Sequence, residues 1–255
     1  MASSSATRST PRWCRMPCST CSKSPHAARS AAMRKMMPAV FITLATLAFS
    51  WWAWPQLPER VVTHWGANGQ PNGWSSPAFA AFLMPGIMAL LTLIFAALPN
   101  IDPLKKNYEF HGSVYFLLVN VVIGFTAVVQ VLVIGSALGW PIDINATLPV
   151  LLGALFLFIG NLLPRIRPNW FMGIRTPWTL SSERVWRKTH RVGGYAFTLA
   201  GLVFIGLAFL PTGRKNTIVM LALVIPIVLW PVVYSYLEWR REKEEGGTVG
   251  NPTAP

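Results

Sequence analysis

The sequence predicts an all-α, polytopic membrane protein with about six transmembrane helices and a cytoplasmic N-terminus. Three observations predict it. Six stretches, at 38–54, 79–98, 112–138, 146–163, 192–210 and 217–237, contain no Asp, Glu, Lys or Arg. A helix needs about 20 predominantly apolar residues to cross a hydrocarbon core, and a bilayer leaves exposed backbone no other hydrogen-bonding partner than the helix itself. Second, 12% of the 255 residues are charged and 53% are hydrophobic, whereas a soluble domain is usually about 25% charged. Third, with the N-terminus inside, the inner segments carry 19 of the 22 Lys and Arg and the three outer loops carry three. That asymmetry is the positive-inside pattern.

The net charge of +13 taken alone invites a nucleic-acid reading. Its distribution assigns it to topology instead. The expectation is contact with membrane lipid, including anionic headgroups, and no direct contact with nucleic acid.

Taken in order, residues 1–35 are rich in Ser and Arg and read as a disordered segment. A start assigned too early is the other reading, with Met33-Arg34-Lys35-Met36-Met37 as the true start. Cys14, Cys18 and Cys21 lie there at C-x3-C-x2-C spacing. An iron–sulfur cluster needs a protein cage around its thiolates, and this segment offers none, so no cofactor is expected. The first span ends in Trp51-Trp52-Ala53-Trp54-Pro55, an interfacial aromatic belt rather than the small residues of a signal cleavage site.

Residues 36–138 hold the first three spans, with a long outer loop at 55–78. Residues 139–240 hold the rest, with a long inner loop at 164–191. Short links at 139–145 and 211–216 force antiparallel neighbours. Pro85, Pro226 and Pro231 are expected to bend their helices. Gly135-x3-Gly139 is a candidate for close helix contact. Residues 241–255 are mixed in charge and end Gly- and Pro-rich, so they read as a disordered tail.

Site chemistry is sparse. Intramembrane ionisable groups mark proton and ion pathways, and the six stretches contain none. Asn120, Gln130 and Asn161 are their chief polar side chains, and interhelical hydrogen bonding is their expected role. No two histidines stand at i, i+4 spacing, and no G-x-S-x-G occurs. The expectation is no metal, no catalytic residue and no enzyme.

Two loops stand out. In the outer one, Asn68-Gly69 and Asn72-Gly73 are turn dipeptides, and Val61-Val62-Thr63-His64-Trp65 has the composition of a short strand. His64, Trp65, Gly69, Pro71 and Trp74 are its candidate recognition residues. In the inner one, Ser181 or Ser182 caps a helix that carries Glu183 in its first turn. Arg184, Arg187, Lys188 and Arg191 then form one stripe, predicting an amphipathic helix lying in the interface. Trp170, Phe171 and Trp178 alternate with Arg167 and Arg175 ahead of it.

Gly160-Asn161-Leu162-Leu163-Pro164, followed by the run from Pro168-Asn169-Trp170-Phe171-Met172-Gly173-Ile174-Arg175-Thr176-Pro177-Trp178 to Trp186 and His190, resembles the signature of the SdpI family of bacterial membrane immunity proteins. The outer loop resembles the small domain of unknown function that often precedes it. Together the resemblance covers residues 38–240. It implies a multi-pass protein of the bacterial plasma (inner) membrane that confers resistance to a secreted peptide toxin. It also implies signal transduction, with a cytosolic winged-helix repressor held at the membrane. On that reading the outer loop faces the toxin. Asn169, Trp170, Gly173, Arg175, Thr176, Pro177, Trp178, Trp186 and His190 form the partner-binding surface. The alternative is a small membrane transporter or channel.

Overall fold

The computed structural model describes residues 25–103, 108–210 and 214–248. The three cysteines lie outside the described residues. Helix α1 is Pro25–Ala53, followed by strands β1 (Val61–Trp65) and β2 (Pro71–Ser75). Then come helices α2 (Pro77–Ile101), α3 (Tyr108–Ala137), α4 (Ile144–Leu162), α5 (Pro177–Ser181), α6 (Glu183–Ala208) and α7 (Arg214–Thr248). All of these helices but α5 contain a segment long and apolar enough to cross a membrane, which makes six spans among the described residues.

Local chemistry sets the helix starts. Ser76 accepts the Phe79 amide at 3.3 Å with Pro77 at the first helical position of α2. Asp143 accepts the amides of Asn145 and Ala146 at the start of α4. Ser182, the second of the two serines, accepts the Val185 amide and caps α6.

Several elements run further than the charge pattern predicts. Helix α1 begins at Pro25 and α7 continues to Thr248, so parts of both segments read as disordered are helical. The α7 extension carries an i, i+4 pair between Arg240 and Glu244 and a contact from Glu245 to Arg184, which support helix where composition alone suggested coil. Residues 183–191 are not a separate interface-lying helix. They are the first turns of α6, and no break separates them from the apolar stretch that follows. In the hairpin, Asn68-Gly69 makes the turn, with Gly69 at φ +77°. Asn72-Gly73 instead lies within β2, where a Cβ on Gly73 would stand 2.8 Å from that of His64.

Two groups of helices make up the bundle. In the first, the buried Gln130 amide of α3 donates to Ser50 Oγ of α1 and to the carbonyls of Ala80 and Ala81 of α2, each at 3.0 Å. Asn120 donates to the Lys35 carbonyl of α1, and the Tyr115 hydroxyl donates to the Phe95 carbonyl of α2 at 2.6 Å. These are the interhelical bonds expected of polar groups in an apolar medium. Asn161 does not join them. It is exposed and accepts from Arg165, one turn away.

The second group is α4, α6 and α7, and glycine builds it. Gly153 and Gly160 of α4 stand seven residues apart, as do Gly194 and Gly201 of antiparallel α6. A Cβ on Gly153 would lie 2.7 Å from the Gly201 carbonyl oxygen, and the reverse distance is also 2.7 Å. Gly160 and Gly194 meet in the same reciprocal way at 2.8 Å. Two backbones therefore touch at two places two turns apart, which only residues without a Cβ allow. Gly135-x3-Gly139 has another role. Gly139, at φ +82°, ends α3, and the Trp140 amide bonds back to the Gly135 carbonyl, a helix C-cap. Beside the glycine seam, Ala200, Phe204 and Val224 form a buried cluster with Phe156, Met220 and Val228 packed on it.

Bonds at both ends join the two groups. At one end, hereafter the hairpin face, Asn145 of α4 donates to the Gly69 carbonyl and Thr217 of α7 donates to the Ala67 carbonyl. At the other, the loop face, Asp102 after α2 accepts the Trp170 amide at 3.1 Å.

Gly160→Leu and Gly201→Leu are expected to destabilise the detergent-solubilised protein by about 1–3 kcal/mol through overpacking, read as lower midpoints in thermal unfolding. Gly206→Leu, where nothing lies within 4 Å of a Cβ, is expected to shift the midpoint far less.

Candidate functional site

The loop face is built on one asparagine. Asn169 is fully buried. Its Oδ1 accepts the amides of Phe171 and Met172 at 3.0 and 2.6 Å, and its Nδ2 donates to the carbonyls of Arg167 and Met172 at 2.9 and 3.2 Å. Its side chain thus substitutes for secondary structure across the 167–172 turn. The turn is held from outside by Asp102, and Arg175 donates to the Trp170 carbonyl.

The next segment closes onto α6. Gly173 has φ +99°, and a Cβ there would collide with the His190 ring. His190 Nδ1 lies 2.8 Å from the Trp186 carbonyl and Nε2 accepts the Ile174 amide at 3.1 Å. This pair of partners assigns the neutral ring with its proton on Nδ1. Trp186 stacks on His190 with centroids 4.1 Å apart and donates its indole N–H to the Ile166 carbonyl at 2.8 Å. Both rings are fully buried. Thr176 caps α5 in a capping box with Thr179 and stands 3.0 Å from Ser235 Oγ of α7. Trp178 packs edge-on against Tyr236 at 5.1 Å.

Beyond Tyr236 a charged lattice continues. Glu238 of α7, 3% exposed, receives Lys188 and stands 3.7 Å from Arg184 Nε of α6. Arg184 also pairs with Glu245 at 2.6 Å, and Glu183 lies 3.1 Å from Arg187 and 3.6 Å from Arg167. The basic stripe is therefore split. Arg184 and Lys188 hold α7, while Arg187 and Arg191 are exposed.

The predicted partner-binding residues divide accordingly. Trp170, Gly173, Arg175 and Pro177 are exposed, and Trp178 is half-buried. Asn169, Thr176, Trp186 and His190 are buried and position the others instead of offering surface. Sequence reasoning missed Asp102, Ser235 and Glu238. The signal for Glu238 was a carboxylate ending an apolar stretch in a chain with nine acids.

On the hairpin face, β1 and β2 pair antiparallel with Val61 opposite Ser75 and Trp65 opposite Pro71. Val61 is fully buried and anchors the hairpin. His64 and Asn72 meet across the strands at 2.6 Å. Arg60 lies 5.8 Å from the ring centroid of Trp74, which is half exposed. Of the predicted recognition residues, His64, Pro71 and Trp74 are exposed. Trp65 and Gly69 are half-buried and border a cavity of about 200 Å³ against α4, α6 and α7.

A six-span helical membrane protein with a strand hairpin on one face and an ordered basic loop on the other is the class these features define. Residues 165–235 match the SdpI/YfhL protein family, and residues 41–89 match the domain of unknown function DUF1648. The first region runs from the loop face through most of α7, and the second contains the whole hairpin. The chain is similar to the Immunity protein SdpI of Bacillus subtilis (strain 168), with 25% identity over 209 residues that span 82% of this chain and 98% of that protein. No solved structure matches.

Asn169→Ala is expected to leave the amides of half-buried Phe171 and buried Met172 without their acceptor and to cost about 1–3 kcal/mol locally. Hydrogen exchange confined to residues 167–174 is the readout. Glu238→Gln is expected to cost about 1–2 kcal/mol. That lies between a surface pair and a fully buried one, because its basic partners are 41% and 44% exposed. Thermal unfolding at low and high salt measures it.

Proposed function

We propose that this chain is an integral membrane immunity protein of the bacterial plasma membrane that protects its cell from a secreted peptide toxin. The observation that carries the reading is the match to an immunity protein across 98% of that protein's length. The N-terminus is cytoplasmic in this reading, because 19 of 22 Lys and Arg then lie inside. The hairpin face meets the toxin and the loop face meets the cytosol. Protection works by binding and not by catalysis.

The exposed part of the loop face, Trp170, Arg175, Pro177 and Arg187, is the surface on which a winged-helix repressor docks. Aromatic and Arg side chains favour such a role. Signalling through it requires that the repressor bind one receptor state better than another.

Expression in a strain sensitive to the peptide toxin of an SdpI system is expected to restore growth. A correctly inserted, abundant protein that gives no protection counts against immunity, and accompanying solute flux favours the transporter or channel alternative. Crosslinked pull-down from native membranes is expected to recover a small DNA-binding repressor with wild type and to lose it with Trp170→Ala. Equal recovery from both removes this surface from the docking model.

A further inference from the structure

Four exposed polar side chains flank the loop-face end of the glycine seam. Phe156 of α4 stacks on Phe197 of α6 with centroids 5.2 Å apart, and this pair covers one flank of the seam. The helical period puts Asn161 of α4 and Arg191 and Tyr195 of α6 on the other flank. Arg165, in the turn that follows α4, joins them by donating to Asn161 Oδ1 at 3.5 Å. All four are exposed. Arg165 and Arg191 are the first charges beyond the charge-free stretches 146–163 and 192–210, so each marks where its helix leaves the apolar layer. Gly160 meets Gly194, which sets the two arginines within about 5 Å of one height along the pair. Tyr195, 73% exposed, stands one turn nearer the middle of the span, and Leu157, Ala154 and Leu202 continue the flank from there. Charge, then an aromatic hydroxyl, then aliphatic surface is the order in which a protein meets a phospholipid from headgroup to acyl chain.

Residues 144–208 contain a single acid, Glu183, which lies against Arg187 and Arg167. Arg184 and Lys188 are paired with α7. Among the described residues Arg165 and Arg191 have no ion pair. We infer that this flank is a site for one anionic phospholipid, whose phosphate bridges Arg165 and Arg191 and whose acyl chains lie along Leu157 and Leu202. Two uncompensated guanidinium groups select an anion, and their forked donors suit phosphate oxygens. The apolar surface directly beside them selects a lipid over a soluble phosphate or an acidic protein segment. Positive charge spread over a membrane face attracts anionic lipid without fixing its place. Two cations on adjoining helices whose backbones touch fix one place.

The test titrates the full chain in detergent with dioleoyl phosphatidylglycerol or dioleoyl phosphatidylcholine. Native mass spectrometry reads the bound lipid, and the thermal midpoint reads its effect. Wild type is expected to retain phosphatidylglycerol in preference to phosphatidylcholine and to gain thermal stability with it. Arg165→Gln with Arg191→Gln is expected to bind phosphatidylglycerol about tenfold or more weakly, the loss that two cations near a lipid surface imply. Its midpoint in phosphatidylcholine is expected to match wild type, since neither arginine holds an ion pair. Arg191→Gln alone is expected to weaken binding about fivefold and carries the test if the double variant misfolds. Arg240→Gln with Arg241→Gln removes the same charge from the end of α7 and is expected to bind as wild type does. Equal binding by wild type and the Arg165 and Arg191 variants overturns the proposal. Equal weakening by the α7 pair also overturns it, because the attraction is then diffuse. So does stabilisation by inorganic phosphate equal to that by phosphatidylglycerol, which makes a soluble anion the occupant.

Discussion

Two helices in this protein meet backbone to backbone. Gly153 meets Gly201 and Gly160 meets Gly194, so α4 and α6 touch along two turns without intervening side chains. In a bilayer the surrounding lipid is as apolar as the helix surfaces. Hydrophobic burial therefore gives helices little reason to associate, and close packing must supply the attraction. Small weak contacts, including Cα–H to carbonyl approaches, accumulate only when the axes come this near. The rest of the second bundle follows from that distance. Phe204 and Ala200 present a surface to Val224 of α7, and Phe156 closes the cluster.

The same pair of helices has one end in each loop system. At the loop face, α4 leads into the Asn169 turn and α6 starts with Trp186 and His190, which close on that turn. At the hairpin face, Asn145 at the start of α4 holds the hairpin tip, and Leu207 and Ala208 at the end of α6 line the cavity beneath it. A movement of α4 against α6 is costly where two backbones are already in contact. Any displacement that keeps both backbone contacts therefore carries α4 and α6 together against α7. The Glu238, Lys188 and Arg184 contacts lie on that boundary and set its stiffness.

Much of this was legible in the chain. The six charge-free stretches gave the spans, because the absence of charge over that length has few other causes. Asn68-Gly69 gave the hairpin turn, and Ser182 gave a helix start. Other features were hidden because they depend on neighbours distant in sequence. The charges at 183–191 suggested a helix lying flat. In fact Arg184 and Lys188 extend to partners on α7, while Trp186 and His190 turn inward to loop carbonyls and amides. Buried Asn169 looks like an ordinary loop residue until its four bonds are counted. The glycine seam was not read from the sequence, because its two seven-residue spacings lie on separate helices and only their packing pairs them. Gly135-x3-Gly139 matches a known close-contact spacing, yet its role is in the cap that ends α3.

The α4–α6 seam is tested most directly by disulfide formation in native membranes. In a chain with Cys14, Cys18 and Cys21 replaced by Ser, the pair Gly153→Cys with Ile205→Cys places two thiols at the seam, since Ile205 is the side chain against Gly153. A disulfide requires Cα atoms about 4.4–6.8 Å apart. Rapid intramolecular bonding of this pair under mild oxidant is the expected result, with none for Gly124→Cys and Ile205→Cys. A seam pair that stays reduced, or that joins only separate chains, contradicts the backbone contact on which both faces rest.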